Sequence, residues 1–449
     1  MKKIATVFLL IALPFSVWSQ TFIGNTLDNY SGINSLLLNP ANVSGSNTRA
    51  EFNFISISAF VGNDYISVNI GELQKNDFQF NFDSDTDTSP SNDNNFFGNV
   101  DILGPSVMFR LNDKSGLAVS SRVRGFFNVN NISGQLLESV QEGFDDQSDF
   151  ESQMTNLSGN VHIWGELGLT YGRVLIENNY RRLRVGGTIK YLTSAGGLFI
   201  SSSSLGVNFN SISNTLNTSG TLSYASTQGL DLQNTDFSTL QSILSGTTGI
   251  GGDLGVVYEM QLKKDDAFDS FYLSSPYKLR LGLSLVDFGK VNYTGVSEFN
   301  YEMNASINAS DFEDKSLDEI LDENYEGGES LVNPVIGLPT SLQFFADYNW
   351  KKRLYLSLHG AYSLAGSELK YSNSIVNSLV ISPRFESKAL SIYSPISFRQ
   401  YNSGVMWGVG FRLGPLMLGS GSILSNLISS SSKSTDIYIG IKFPVNEKK

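Results

Sequence analysis

Apolar and polar residues alternate along most of this chain in runs of about ten, each ended by a polar or glycine-rich break. Leu279-Arg280-Leu281-Gly282-Leu283-Ser284-Leu285 is one such run. Val405-Met406-Trp407-Gly408-Val409-Gly410-Phe411-Arg412-Leu413 is a second, and Ile437-Tyr438-Ile439-Gly440-Ile441-Lys442-Phe443 a third. A period of two sends successive side chains to opposite faces of a β-strand. Here one face is greasy and the other small, hydroxylic or cationic. A barrel that is apolar outside and wet inside carries this signature, so the pattern predicts an all-β, antiparallel transmembrane barrel of about fourteen strands.

The strands predicted are 50–70, with a bend at Gly62, then 100–111, 115–129, 158–172, 183–195, 203–212, 217–227, 249–262, 278–292, 336–349, 353–366, a twelfth within 376–398, 403–414 and 434–444. Break lengths support the layout. Asn112 to Gly116 and Asn349 to Arg353 are tight, whereas 71–99, 130–157, 228–248, 289–335 and 367–375 are mostly longer, with 173–182 and 263–277 of middling length. Barrels of this class have short turns at one end and long loops at the other. An even count starting from a periplasmic N-terminus puts the long breaks outside and returns the C-terminus to the periplasm. Two loops read as carrying helix: Ser316 to Glu323, with apolar residues at helical spacing behind an acidic first turn, and Phe237 to Leu244.

Composition fits a lipid-facing wall. Charged residues make up 16% of the 449, against 42 Gly, 30 Phe and 19 Tyr; soluble domains carry about 25% charge. The net charge of −12 disfavours nucleic acid, whose phosphates need a basic patch. With no cysteine there is no disulfide or thiolate metal site, and no cofactor is expected. Met1-Lys2-Lys3, the apolar stretch from Ile4 to Phe15, and Val17 and Ser19 read as a signal peptide over 1–19. No later apolar run reaches the roughly 18 residues a membrane helix needs.

The alternation assigns faces. Leu117, Val119, Val123, Val161, Ile163, Leu167, Leu169, Leu254, Val256, Tyr258, Leu354, Leu356 and Leu358 fall on the lipid side. Arg122, Arg124, His162, Glu166, Arg184, Lys190, Lys278, Arg280, Gln343, Asp347, His359, Arg412 and Lys442 fall inward. A charge on the lipid side costs roughly 2–4 kcal/mol at the midplane, which drives these groups into the lumen. They read either as a net-cationic lining that guides anionic or amphipathic solutes, or as structural ion pairs filling the barrel.

Other motifs add little chemistry. Asp83, Asp85 and Asp87 alternate as calcium ligands can, but Thr88 and Asn94 stand where a calcium loop of the helix–loop–helix type needs Gly and Glu. They remain a weak calcium candidate. The acidic stretch 311–329 reads as a solvated loop or a dock for a basic partner. Catalysis is not expected: there is no Gly-x-Ser-x-Gly elbow, and the two histidines, His162 and His359, lie on different strands without an evident serine partner.

Asn39-Pro40-Ala41 follows the apolar segment Ile33 to Leu38, which matches no membrane strand. In this triplet, ahead of a barrel, the chain resembles the long-chain fatty-acid transporter superfamily of outer-membrane barrels. It is similar, closer still, to an uncharacterised branch common in Bacteroidota, through Leu36 to Ala41, Leu338-Pro339-Thr340-Ser341-Leu342, and Arg412-Leu413-Gly414-Pro415-Leu416 with the strand at Asp436 to Gly440. The resemblance implies about fourteen strands, an N-terminal hatch or plug inside the lumen (20–48, with the barrel over 49–449) and a gate at Asn39, Pro40 and Ala41. The function expected is a channel or transporter for small hydrophobic or amphipathic molecules in the outer membrane of a Gram-negative bacterium. The alternative is a non-transporting scaffold barrel, a subunit of an outer-membrane secretion or assembly complex. Partners expected are outer-membrane lipid and lipopolysaccharide and, on the second reading, other subunits of the complex.

Overall fold

The computed structural model describes residues 22–45, 48–71, 80–144, 147–227, 247–261, 277–366, 370–401 and 404–445. The expected signal peptide, the helix at 237–244 and the break at 263–277 (bar its last residue) lie outside them. The described chain closes into a single antiparallel barrel of 14 strands. In chain order these are β1 (Ala50–Asn63), β2 (Asn94–Leu103 and Ser106–Asn112), β3 (Ser115–Ile132), β4 (Phe150–Glu177) and β5 (Arg181–Asn210). Next come β6 (Thr215–Ser226 and Thr247–Gln261), β7 (Tyr277–Asn292, Val296–Glu302 and Ala305–Asn308) and β8 (Glu326–Val332, Val335–Gly337 and Ser341–Lys351). β9 (Leu354–Ser363), β10 (Ser378–Glu386), β11 (Leu390–Tyr393 and Ile396–Arg399), β12 (Val405–Trp407 and Val409–Leu413), β13 (Leu416–Ser420) and β14 (Ser434–Val445) complete the wall. Closure is the pairing of β14 with β1, from Ala50 against Val445 to Gly62 against Ser434, which leaves no free edge.

The number of strands matches the sequence pattern, but several predicted boundaries do not, and the break expected at 289–335 carries strand at 296–302, 305–308 and 326–332. The runs 183–195 and 203–212 are one strand, β5, because Ser201 to Ser204 continue the ladder through a register shift rather than turning. The runs 217–227 and 249–262 are also one strand: 215–226 pairs with the outer part of β5 and 247–260 with its inner part. Both flanks of the break at 228–248 therefore belong to one descending strand. Conversely, 376–398 holds two strands, β10 and part of β11, and β13 was not predicted because its five residues show little alternation. The first strand ends at Asn63, whose side-chain oxygen accepts from the amide of Tyr65; residues 66–69 pair instead with 86–88 and 431–432 in a small separate sheet. The helix expected near 316 is present as Leu317–Asn324, closed by a capping box between Ser316 and Glu319.

The two faces differ as the alternation requires. Outside, Leu169 is 50%, Ile189 70% and Leu254 57% exposed. Such apolar side chains project from every strand, for example Phe52 on β1, Val107 on β2, Phe344 on β8, Phe411 on β12, Leu416 on β13 and Ile439 on β14. Inside, Arg184, Asp347 and Arg412 are buried. Val161 departs from its expected exposure: it is buried, in register between Phe127 and Leu198. β4 and β5 are 28 and 30 residues long, against the 9–11 or so that cross a bilayer. Their outer halves, with those of β6 to β8, enclose a second apolar core of Met154, Phe209, Leu216, Ile307, Ile320 and Leu321.

Candidate functional site

Three structures fill the space inside the wall. The first is the segment 22–45, two 3-10 turns (Gly32–Leu37 and Pro40–Gly45) preceded by irregular chain. It lies at the end of the short turns, because its partners come from the adjoining ends of the strands. Arg280 donates to the Leu27 carbonyl at 2.6 Å, Arg412 pairs with Asp28 at 3.1 Å, and Lys442 donates to the Tyr30 carbonyl at 2.5 Å. Glu386 accepts from the Asn29 amide and side chain, and Glu51 from the Ile33 amide at 2.8 Å. Asn39 donates its side-chain amide to Val256 O on β6 and Leu283 O on β7, both at 3.1 Å, while its Oδ1 accepts from Ala41 N. Arg184 reaches the Ala41 carbonyl at 3.4 Å.

The Asn39-Pro40-Ala41 turn touches the wall where two strands carry glycine. A β-carbon on Gly186 would sit 2.6 Å from Pro40 O, and one on Gly255 would overlap the Asn39 side chain. Gly186→Val is thus expected to unseat the turn. Overpacking costs about 1–3 kcal/mol, and each 1.4 kcal/mol is tenfold in an equilibrium. The chain has no cysteine, so the single variant Ala41→Cys gives a clean reporter: a membrane-impermeant maleimide should label it about tenfold faster when Gly186→Val is added. Equal labelling rates would show that the turn does not depend on this contact.

The second structure is an ion-pair belt across β2 to β7. Arg122 pairs with Asp101 and lies 3.5 Å from Glu166; Arg124 lies 3.3 Å from Glu166 and 2.8 Å from Asp287; Lys190 lies 2.7 Å from Asp253 and 2.5 Å from Asp287. Opposite it, Asp347 binds both Arg280 and Arg384 at 3.0 Å. The net-cationic lining is not what the described wall presents: every buried Arg and Lys has a carboxylate within 4.0 Å. Unpaired charge in so dry a lumen would cost several kcal/mol per ion.

The third is the loop 370–377, which folds inward across the barrel. Asn128 on β3 donates to Ser374 O and accepts from Ser374 N, Asn160 on β4 donates to Ser372 O at 3.1 Å, and Asn373 lies 3.0 Å from His162 Nδ1. Lys370 and Tyr371 both bind Glu298. His162 does have a serine neighbour after all, Ser194 at 3.2 Å, but Ser194 also donates to Ile163 O and both are buried, so this is a structural cluster.

Between the N-terminal segment and this loop is a cavity of about 80 Å³. Its floor is Ile23, Thr26, Leu37 and Leu38; its wall is Phe60, Asn99, Arg124, Phe126, Gln343, His359 and Ala361; its roof is Ile375 and Val376. It keeps a polar edge where His359 and Gln343 share a hydrogen bond of 2.8 Å. Of the residues expected inward, Arg124, Gln343 and His359 line it. Arg122, Glu166 and Lys190 belong to the belt, Arg184, Arg280, Asp347 and Arg412 hold or back the N-terminal segment, and His162 holds the loop. The roof residues carry no motif; the inward asparagines 128 and 160 on adjacent strands were the available signal. In the outer loops, Asp85 is buried and accepts from Asn81 N, and Asp87 is exposed. Among the described residues, no group of three or more His, Cys, Asp or Glu is placed to hold a metal.

A closed antiparallel barrel with an occupied lumen and an internal chamber is the class these features define. The chain belongs to a family of unknown function (DUF5723), whose profile matches residues 40–421. Comparison with curated proteins finds no match. Among solved structures, the toluene transporter TbuX of Ralstonia pickettii is similar at 9% identity, with 93% of this chain and 95% of that one covered and a TM-score of 0.44. The toluene transporter TodX of Pseudomonas putida is similar at 11% identity, covering 95% and 97%, with a TM-score of 0.42. A Pseudomonas aeruginosa FadL homologue is similar at 9% identity, covering 93% and 94%, with a TM-score of 0.42.

Proposed function

We propose that this chain is an outer-membrane barrel that passes small hydrophobic or amphipathic molecules through an internal chamber. The observation that carries the reading is the cavity of about 80 Å³ between the N-terminal segment and the inward loop. Ligand pockets of about 300–1,000 Å³ pair apolar walls with a few placed polar groups, so a passing solute has to displace the loop or the N-terminal segment to widen this chamber. Paired charge all round the lumen argues against a water-filled ion pore. The segment around Asn39, Pro40 and Ala41 is the inner gate, and loop 370–377 the outer one.

The test is uptake of a solvatochromic amphiphile into proteoliposomes, with His359→Trp to fill the chamber. Uptake by the wild type and its loss in this variant are expected. Uptake no faster than in protein-free liposomes would overturn the reading.

Membrane insertion has its own check. Ile189→Arg, on the outer face of β5, should destabilise the barrel folded in lipid vesicles by about 2–4 kcal/mol. Ile212→Arg, 93% exposed at the tip of the β5–β6 hairpin, should change it by less than about 0.5 kcal/mol. Urea titration of vesicle-folded protein measures both, and equal effects would remove the hydrocarbon contact.

One feature favours the scaffold reading. The outer halves of β4 to β8, with the helix Leu317–Asn324 packed on them, form a platform with its own core beyond the height a bilayer requires. A stoichiometric protein partner on purification from native membranes supports that reading; a solitary barrel with bound lipid supports transport.

A further inference from the structure

We propose that the rim of the barrel at its short-turn end docks the phosphate headgroups of anionic phospholipids. The proposal stands on the membrane-spanning fold and is independent of whether the barrel transports a solute or scaffolds a partner. Its first support is that charge divides between the two ends of the molecule. At the short turns Lys114, Arg173, Arg181, Lys351, Lys352 and Lys388 are exposed, with Arg49 at the foot of β1, against Asp113 and Glu177. Glu177 is already engaged, 3.3 Å from Arg182. At the opposite end the stretch 317–329 exposes Asp318, Glu319, Asp322, Glu323, Glu326 and Glu329. Solubility alone is served by both signs interspersed. One sign spread over four turns of the same rim matches an anion in the medium around it.

The second support is depth. On the outward face of β4 the order is Leu167, Leu169, Tyr171 and then Arg173, all exposed: apolar, aromatic, charged. Two residues of strand rise about 7 Å, enough to carry the guanidinium from the edge of the hydrocarbon into the headgroup zone. On β8, Tyr348 and Trp350 project outward just before Lys351 and Lys352. Lys278 Nζ lies 4.6 Å over the Tyr348 ring and donates to the carbonyls of Asn349 and Trp350. Tyr180 is exposed beside Arg181. Aromatic girdles mark the edge of the apolar band in barrels of this class. Cations just beyond such a girdle lie at the level of lipid phosphates.

The chemistry fits that partner. A guanidinium fork takes two phosphate oxygens at once. Arg173 pairs across the ladder with Val185, and Arg181 is two residues from Leu183 on the same strand, so both arginines border one apolar stretch of wall against which an acyl chain would lie. Each Lys or Arg near an anionic surface favours binding by about fivefold. Short turns face the periplasm in these barrels, where the leaflet is phospholipid. An acidic protein would also meet the charge, but it has no use for the aromatic girdle beside it.

The test uses the tryptophans that follow the expected leader. Trp350 lies within the cationic rim. Trp407 lies at the outer edge of the wall, its amide bonded to Ser425 in the helix Ile423–Ile428 that follows β13. Trp164 is buried in the lumen, away from lipid. Trp407→Phe and Trp350→Phe therefore leave one lipid-facing reporter each. The full barrel is folded into phosphatidylcholine vesicles holding a minor share of phosphatidylglycerol, with bromine on the acyl chains of one lipid at a time, and quenching of tryptophan emission is compared. At low salt, brominated phosphatidylglycerol is expected to quench Trp350 about threefold more than its share of the bilayer requires, and Trp407 no more than its share. Salt at about 1 M, where the Debye length is about 3 Å, should abolish the excess. Lys351→Gln with Lys352→Gln should about halve it, and the same pair changed to Arg should keep it. Quenching of Trp350 in proportion to bulk composition, or an equal excess at Trp407, overturns the proposal. So does an excess that survives high salt or the glutamine pair. Loss in the arginine pair as well as the glutamine pair would make the effect one of packing and also sink it.

Discussion

Excising residues 22–45 alone will leave the barrel closed to ions in planar bilayers, and replacing loop 370–377 alone with a short Gly-Ser linker will do the same; combining the two will open it to steady single-channel steps. The reasoning is that of two barriers in series. The N-terminal segment is tied to the inner ends of the wall by Arg280, Arg412, Lys442, Glu386 and Glu51. The loop is tied separately to β3 and β4 by Asn128 and Asn160, and to β7 through Glu298. None of these contacts joins one barrier to the other; they meet only across the chamber, where Leu37 and Leu38 face Ile375 and Val376. Removal of one therefore leaves the other's hydrogen bonds intact. Conductance in the variant lacking only 22–45 would show that the loop is no barrier, and a closed double variant would place the obstruction in the outer apolar core.

How far this arrangement could be read in advance depends on which physical signal each part leaves in the chain. Facing was legible because the period of two survives wherever a strand meets an apolar medium on one side. Arg122, Arg124, Glu166, Arg184, Arg280, Asp347 and Arg412 all fall inward as parity requires. Strand division was not legible where that asymmetry lapses. Residues 196–202 read as a break between strands because an outer sheet exposed to water has no need of a greasy face. The insertion between Ser226 and Thr247 read as a loop because length alone does not distinguish a turn from an excursion within one strand. The count matched only because two merged pairs were offset by one split and one short strand missed.

The partners of the inward cations were harder still. Asp253 and Asp287 flank a register shift, where Gly252 pairs with Phe288 and Leu254 with Leu285. A bulge changes parity, so Asp287, odd-numbered like the exposed Leu281 and Leu283, could not be placed inward by counting, whereas Asp253 keeps the inward parity of Val257 and Glu259. This is why the sequence left a net-cationic lining open beside the ion-pair reading, where the described wall is compensated. Asn39-Pro40-Ala41 could be noticed as a turn, but its bonds to Val256 and Leu283 depend on two strands over 200 positions distant.

The second large effect is expected at Asp287. It lies 2.8 Å from Arg124, 2.5 Å from Lys190 and 4.0 Å from Arg122; Glu166 also reaches all three cations of the belt, but only at 3.3–3.8 Å, so Asp287 makes the two shorter pairs. Asp287→Asn removes that charge with almost no change of shape. It also leaves the backbone undisturbed, because the residue sits at φ +57, a region asparagine adopts as readily as aspartate. Breaking a buried pair from one side costs about 3–5 kcal/mol, since the cation left behind keeps its desolvation cost. Asp253→Asn is the control. Among the described ion pairs Asp253 meets only Lys190, which retains Asp287, and its remaining duty is to accept from the Asp287 amide at 2.8 Å. Asparagine keeps an Oδ1 that still accepts there, so this variant should cost about 1 kcal/mol or less. Urea unfolding of the barrel in vesicles, followed by its heat-modifiable gel mobility, should therefore order the proteins as wild type, then Asp253→Asn, then Asp287→Asn well below both. If the two variants are equally stable, the belt is screened by water, and its charges do not hold the six strands in register.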